Sequence, residues 1–515
     1  FGESVELLTR VFPHWVHPRV RFFAGRENRL PADSHFLYAL IAPRPVLMST
    51  AVNDWVESTW VVEQVYETIL PVYELLGKGG NLALRYRPGQ HSWRQGTTPR
   101  DYSRFMLAVA AGRPAPAELF PYRPYHVWDY EKWAKANPPK LNIARLPKRG
   151  IDDPTIGADG KRLQADDWPA RREQIRERIR WLLGEGPAYV RKRVRIGVGE
   201  SEQEAAVLER DWPEPPERVK CRFGSGINGN IYYPDTRTKG SGRGTPTRKV
   251  GVGDPRKLPA VVWLSPFQCA GGYHAYTYRA GEIPHLKLSR NGYITLAFDP
   301  IGTGGRQVER RDFYRKHPDW SLMGKMVHDA RNAIDVLEKL PEVDGEKIYL
   351  VGYAMGGMVA SLTAALDDRV AGAAIVAGFT PFRTDTDASG TGGVRRYSHL
   401  YGWLPRLGAF VGREAKVPVD FPEILAAAAP KHLCVVAPKK DWHATHADVV
   451  KAVRQARKAY KLLGAEDALD FHEPDDWNRL TTEVQAQVIR WLNIRCGRPD
   501  AVIKELPKKL GPHGM

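Results

Sequence analysis

Short apolar runs bounded by proline, glycine and acidic residues alternate along this chain with longer stretches of helical period. The first set predicts a strand over residues 43–50, a helix over 60–76, a strand over 82–87 and a helix over 100–111. A further helix is predicted to begin just after Asp167, with Pro169 in its first turn and Ile175, Ile179 and Leu182 on one face. Short β segments follow from 187 to 233. Continuous apolar runs at 260–264, 293–299, 347–351 and 373–376 then read as strands, the last two separated by a stretch of helical spacing. Strands alternating with helices in this way predict an α/β architecture.

One module occurs twice. Ala42-Pro43-Arg44-Pro45-Val46-Leu47-Met48 is followed by Asn53-Asp54-Trp55 and then by Tyr73-Glu74-Leu75-Leu76-Gly77. Ala429-Pro430-Lys431-His432-Leu433-Cys434-Val435 is followed in the same way by Lys440-Asp441-Trp442 and Tyr460-Lys461-Leu462-Leu463-Gly464. Alanine to tryptophan is 13 positions in both copies and aspartate to tyrosine is 19, so the chain contains an internal duplication. Each copy reads as strand, acidic loop, helix, strand, histidine loop and closing helix, with His91 ending the first copy and His472 the second.

Between the copies lies Gly352-Tyr353-Ala354-Met355-Gly356, preceded by β-formers and followed by a helical pattern. This is the frame of a nucleophile elbow, G-x-S-x-G, in which the central residue sits on a strained strand-to-helix turn. Here Ala354 holds the nucleophile position, and a methyl group cannot attack a carbonyl. In a parallel α/β sheet the loops after the strands gather on one edge, which predicts Asp441 beside His472 and Asp54 beside His91, with Glu57 as an alternative acid. The backbone N–H of Met355 and that of Phe267 or Gln268, in the loop after 260–264, are candidate oxyanion donors. A lone loop histidine is also a common surface residue and an aspartate after a strand a common helix cap. The alanine fits an engineered inactive form or a natural pseudo-esterase equally, and on this reading Ala354→Ser alone would supply esterase activity.

Composition narrows the alternatives. The 515 residues suffice for two substantial cores, and no apolar run approaches the length of a membrane span. Cys221, Cys269, Cys434 and Cys496 lack the spacing of a disulfide framework or a metal site, so no metal and no cofactor is expected. The net charge of +17 is spread along the chain without aromatic interleaving, which argues against nucleic acid. An anionic polysaccharide or cell-wall surface fits that charge, and so does a generally basic surface without a partner. Gly302, Gly304 and Gly305 lack the lysine and hydroxyl residues of a phosphate loop.

Residues 1–113 carry only the later half of such a fold, which leads us to expect the C-terminal part of a longer protein, with an exposed sheet edge covered by the connector, the second domain or another chain. Residues 114–165, rich in proline and aromatics, read as a docked connector. Residues 166–495 read as a complete domain, with a flexible basic loop at 237–249 and an insert at 379–422 that is either a cap over the pocket or a surface loop. Residues 496–515 form a basic tail. No signal peptide is in view, and the chain starts at Phe1.

Residues 1–113 resemble the C-terminal part of bacterial glucuronoyl esterases, on Phe1-Gly2-Glu3-Ser4-Val5-Glu6, Phe12-Pro13-His14-Trp15, Leu30-Pro31-Ala32-Asp33-Ser34-His35, Ala39-Leu40-Ile41-Ala42-Pro43-Arg44-Pro45 and Arg87-Pro88-Gly89-Gln90-His91. Residues 165–495 resemble acetylxylan-esterase-like α/β-hydrolases, on Phe298-Asp299-Pro300-Ile301-Gly302, Trp320-Ser321-Leu322-Met323-Gly324-Lys325-Met326 and Arg395-Arg396-Tyr397-Ser398-His399-Leu400. The resemblance implies one partial and one complete α/β-hydrolase fold in tandem, with His91 as a catalytic histidine. It further implies a carbohydrate esterase, secreted or periplasmic, acting on ester groups of a plant cell-wall polysaccharide such as glucuronoxylan. The alternative is a non-catalytic pseudo-esterase that binds the polysaccharide.

Overall fold

Two sheets of very different size carry the strands read from the sequence. The computed structural model describes residues 5, 8–9, 12–24, 26–51, 59–87, 98–116, 119, 125, 128–157, 159–189, 195–196, 218–234, 257–267, 272–274 and 283–505. The small sheet pairs β1 (Val46–Ala51) with β2 (Leu82–Arg87) in parallel, joined by α1 (Thr59–Leu75) and followed by α2 (Thr98–Ala110). Val62, Tyr66, Ile69 and Tyr73 of α1, at helical spacing, pack against Met48, Leu82, Leu84 and Tyr86.

The large sheet has nine strands in the order β11-β10-β9-β8-β6-β7-β5-β4-β3. They are β3 (Arg195–Ile196), β4 (Arg218–Phe223), β5 (Ile227–Tyr232), β6 (Leu258–Leu264), β7 (Ile294–Phe298), β8 (Val343–Tyr353), β9 (Gly372–Val376), β10 (His432–Val436) and β11 (Leu469–His472). Strands β3 to β5 are antiparallel, β5 runs antiparallel to β7, and every pairing from β7 to β11 is parallel. Alternation distributes β6 between two cores: Ala260, Val262 and Leu264 face one, Val261 and Trp263 the other. Helices α3 (Trp168–Leu183), α4 (Leu322–Glu338), α5 (Met355–Leu366) and α6 (His446–Leu462) cover the first face, and α7 (Thr482–Arg495) lies on the second. Chain order reverses at β6, with β7 on one side and β8 on the other, so the crevice beyond the C-terminal ends of β6 and β8 is where such a sheet binds ligands.

The duplicated module has one geometry in both copies. Leu433 of β10 pairs with Leu469 of β11 as Val46 pairs with Leu82, and Tyr73 and Tyr460 are both fully buried. The Ala42–Pro43 and Ala429–Pro430 bonds are both cis.

The connector is docked along its described length. Ala115 and Leu119 pack on Ala83 and Phe105 of the small sheet's unit. Trp128 Nε1–H donates to Ser398 O at 2.8 Å, and Trp133 Nε1–H to Pro318 O at 2.9 Å. Tyr125 reaches both ways: its backbone N–H donates to Glu63 Oε1 of α1, and its hydroxyl to Gly302 O after β7, each at 3.0 Å. Glu63 is fully buried and also accepts the Tyr86 hydroxyl, so its carboxylate is supplied with donors.

The insert is part of the main core, not a surface loop. Phe382, Val394, Leu404, Leu407, Phe410 and Val419 are all fully buried in the first core, and buried Arg383 pairs with Glu423 at 2.9 Å. Tyr401 and Trp403 of the insert stack at 4.1 Å, and Trp60 of α1 stacks on Tyr401 at 5.3 Å. The basic loop at 237–249 lies outside the described residues.

Close backbone approach fixes the β8–α5 junction. A Cβ on Gly356 would come within 1.9 Å of the Leu264 carbonyl oxygen, and one on Gly352 within 2.1 Å of the Gly356 carbonyl oxygen. Backbone on both sides leaves nothing flexible to yield. Gly356→Ala is therefore expected to abolish the folded domain or cost more than about 4 kcal/mol, which chemical denaturation of the variant beside the parent measures.

Candidate functional site

At the end of β8 the chain turns into α5 through Ala354, whose φ of 49° and ψ of −117° lie in a region that L-residues rarely occupy. A residue held there costs on the order of 1–3 kcal/mol and persists only where its surroundings over-determine it. The surroundings do so. Ala354 N–H donates to Val376 O of β9 at 2.9 Å, Met358 N–H donates back to Ala354 O at 3.1 Å, and Gly352, Gly356 and Gly357 admit backbone where any side chain would collide. The strained strand-to-helix turn thus lies at Gly352–Gly356, with an alanine methyl at its apex. Met355 opens α5, so its N–H belongs to the unpaired first turn with its partial positive charge. The loop after β6 abuts the elbow through Leu264 and Ser265 and continues to Phe267, whose ring meets Trp60, Tyr401 and Trp403 edge-on.

The candidate acid lies in the loop after β10. Asp441 is buried, and its carboxylate accepts the His443 backbone N–H at 2.9 Å and Asn478 Nδ2–H at 3.0 and 3.1 Å. Burial pushes its pKa up to about 6, against the lowering pull of those donors and of Arg396. Arg396, from a single π-helical turn of the insert, donates to the His443 carbonyl at 3.1 Å and pairs with Asp385 at 2.9 Å, tying the insert to the acid loop.

The expected Asp441–His472 pair does not form. Among the described residues the donors to the Asp441 carboxylate are His443 and Asn478, and His472 is not one of them. The reason is strand alternation: His472 shares its face of β11 with Asp470, which is held by Trp491 and Arg495 of α7. Asp470 is accordingly the charge that acts on the His472 ring, while burial depresses its pKa. His446 comes nearer the acid. It lines a cavity of about 10 Å³ with Asp441, but its Nε2 is engaged by Glu473 Oε1 at 2.9 Å. Sequence reasoning missed Asn478 because an amide carries no chemical signature; only its place in the loop after β11 marks it. The Tyr353 hydroxyl, one residue before the elbow, donates to Asn478 O at 2.8 Å.

His91, Asp54, Glu57 and Gln268 lie outside the described residues. Among those described, no group of three or more His, Cys, Asp or Glu side chains could hold a metal ion, and no helix is long and apolar enough to cross a membrane.

A CE15 esterase from a marine bacterial metagenome has a TM-score of 0.50 at 16% identity, covering 68% of this chain and 98% of that one. A glucuronoyl esterase from Solibacter usitatus has a TM-score of 0.52 at 17% identity, covering 68% and 99%. Residues 262–507 match the model of the alpha/beta hydrolase family. The chain carries an α/β-hydrolase fold. Residues 4–77 of this hydrolase-fold chain also match the model of fungal glucuronyl esterases, in line with the resemblance carried by the N-terminal motifs. The carbohydrate esterase MZ0003, from an unknown prokaryotic organism, is 32% identical over 124 residues, 21% of this chain and 27% of its own length. The matched stretches span about a third or less of the curated relatives.

Two expectations follow for this hydrolase fold. Ala354→Gly relieves the strained φ and is expected to stabilise the fold by about 1 kcal/mol, net of the added freedom of the unfolded chain, as read by urea denaturation. Asp441→Asn removes a carboxylate whose folded pKa lies above its unfolded one. The folded parent binds the extra proton between about pH 4 and 6 and loses stability as pH rises through that range, whereas the variant does not. Melting temperatures across pH should show the variant gaining on the parent up to about pH 7, on the order of 2 kcal/mol, with the difference gone below pH 4.

Proposed function

We propose that this chain is a carbohydrate-esterase-type hydrolase fold of the glucuronoyl-esterase-like kind that binds ester-bearing plant cell-wall polysaccharide, such as glucuronoxylan, without turning it over. The observation that carries the proposal is Ala354, held in the strained elbow conformation with no hydroxyl to attack an ester. Donors suited to an ester carbonyl oxygen stand at the N–H groups of the first turn of α5 and of the loop after β6. A site that keeps its carbonyl-accepting donors but lacks a nucleophile retains binding energy and loses chemistry. The match of residues 4–77 to glucuronyl esterases supports a carbohydrate ester as ligand, and the excess of basic residues suits a polymer bearing uronic acids. A substrate that is a cell-wall polymer places the protein outside the cytoplasm, secreted or periplasmic. No cofactor enters this reading.

The test is to incubate the purified chain with acetylated xylan and with a methyl ester of glucuronic acid, following released acid and, in parallel, binding by calorimetry. Saturable binding without acid release above the buffer control is the expected result. Turnover that co-purifies with the protein, or no binding of either ester, rules the proposal out.

A further inference from the structure

We infer that Asn478 occupies the seat of the general base, so that the esterase frame lacks two reacting groups, Ala354 marking one and Asn478 the other. The inference rests on the reading of the site as an esterase frame and changes what would restore it. A hydrolytic triad needs a group that touches the acid at one end and the nucleophile at the other. In this structure the side chain on Asp441 belongs to Asn478, in the loop that follows β11, and the same residue's carbonyl accepts the hydroxyl of Tyr353 beside Ala354. The residue therefore touches the acid directly and is tied to the strand that leads into the elbow through the phenol of Tyr353.

Stereochemistry sharpens the point. Asparagine Nδ2 and histidine Nδ1 are each bonded to Cγ, two bonds from Cβ. An imidazole at position 478 would make the same N–H donation to Asp441 and carry its Nε2 farther out as a free acceptor. The amide ends instead in Oδ1, which is buried without a partner and is not protonated near neutral pH, so it cannot take a proton from a hydroxyl. The orientation of the amide is fixed by its contacts, since both Asp441 oxygens can only accept and Nδ2 is the donor.

The histidines that could serve instead are placed otherwise. The His443 backbone already serves Asp441 and its ring lies edge-on to Trp442, His446 has Nε2 on Glu473 and an unpartnered Nδ1 in a cavity whose lining does not include Ala354, and His472 sits on the face of Asp470. With both groups installed, the introduced serine oxygen bonds to the ester carbonyl carbon as its proton passes to the introduced imidazole. The ester C–O bond then breaks and the departing alcohol takes that proton. Water attacks the acyl group, gives a proton to the imidazole and releases the carboxylic acid as the serine recovers its hydrogen. Asp441 stays ionised throughout.

The experiment compares the parent chain, Ala354→Ser, Asn478→His and the double variant, reading hydrolysis of an aryl acetate, acetylated xylan and methyl glucuronate, and covalent labelling by a fluorophosphonate. The double variant is expected to exceed either single variant by about a thousandfold or more and to be labelled at position 354. Adding Asp441→Asn should lower its rate by about 10³–10⁴-fold, while His472→Ala should leave it within about twofold. Ala354→Ser alone matching the double variant overturns the inference, and the histidine whose removal then silences it is the true base. A double variant with the parent's circular dichroism and melting temperature but no labelling overturns it too. Should the double variant fail to fold, NMR titration of Asn478→His decides: an imidazole pKa above the ordinary value that falls on adding Asp441→Asn supports the seat, and an unperturbed one refutes it. A double variant that is labelled and cleaves the aryl ester, yet neither binds nor cleaves the carbohydrate esters, upholds the assignment of Asn478 while removing the carbohydrate reading.

Discussion

The backbone of Ala354 is the constraint on which the site depends. Its φ of 49° is tolerable because β8 is clamped between β6 and β9 and because α5 starts at once, its second and third residues being glycines pressed against Leu264 O and Gly378 Cα. Those contacts would be pointless around an ordinary strand-to-helix turn. The fold spends backbone strain and several side chains to present one position at the switch point of the sheet, and that position holds a methyl group. Strain of this kind persists where surroundings enforce it, whichever side chain the position carries.

Asp441 is surrounded by one backbone N–H and one amide, neither of which changes charge, and burial raises its pKa toward neutrality. In a working triad an imidazolium forms beside the acid and repays the cost of burying it. Here Arg396, reaching in from the insert and bound to Asp385 and the His443 carbonyl, is a positive charge that lowers the Asp441 pKa against its burial.

The fold was legible because its signals are periodic. Strands β1, β2, β6 to β11 and helices α1, α2 and α3 fall within a few residues of the apolar runs and stripes that predict them, and the duplicated spacing exposed the equivalence of β1–β2 with β10–β11. The elbow was legible because glycines are demanded by sterics that leave a pattern. The place of Asp441 at one edge of the sheet was legible because a short loop after a parallel strand can only come out there. The partner was not. His472 is the last residue of β11, where a two-residue alternation decides its face, and residue type favoured it over Asn478, six positions on, in a loop with no periodicity at all. The insert's burial was equally hidden, since its apolar residues follow no single period and sit on turns of 3₁₀ and π geometry.

Tyr125 joins the two sheets through atoms at opposite ends of one rigid residue, its main-chain nitrogen on Glu63 and its phenol on Gly302. An aromatic ring neither stretches nor bends. The gap between the small sheet and the loop after β7 is thus set by the length of a tyrosine, in the way a strut sets the distance between two plates. With Trp60 seated on Tyr401 a short way off, the join resists both separation and rotation, so a polymer lying across both units would meet a surface of fixed spacing.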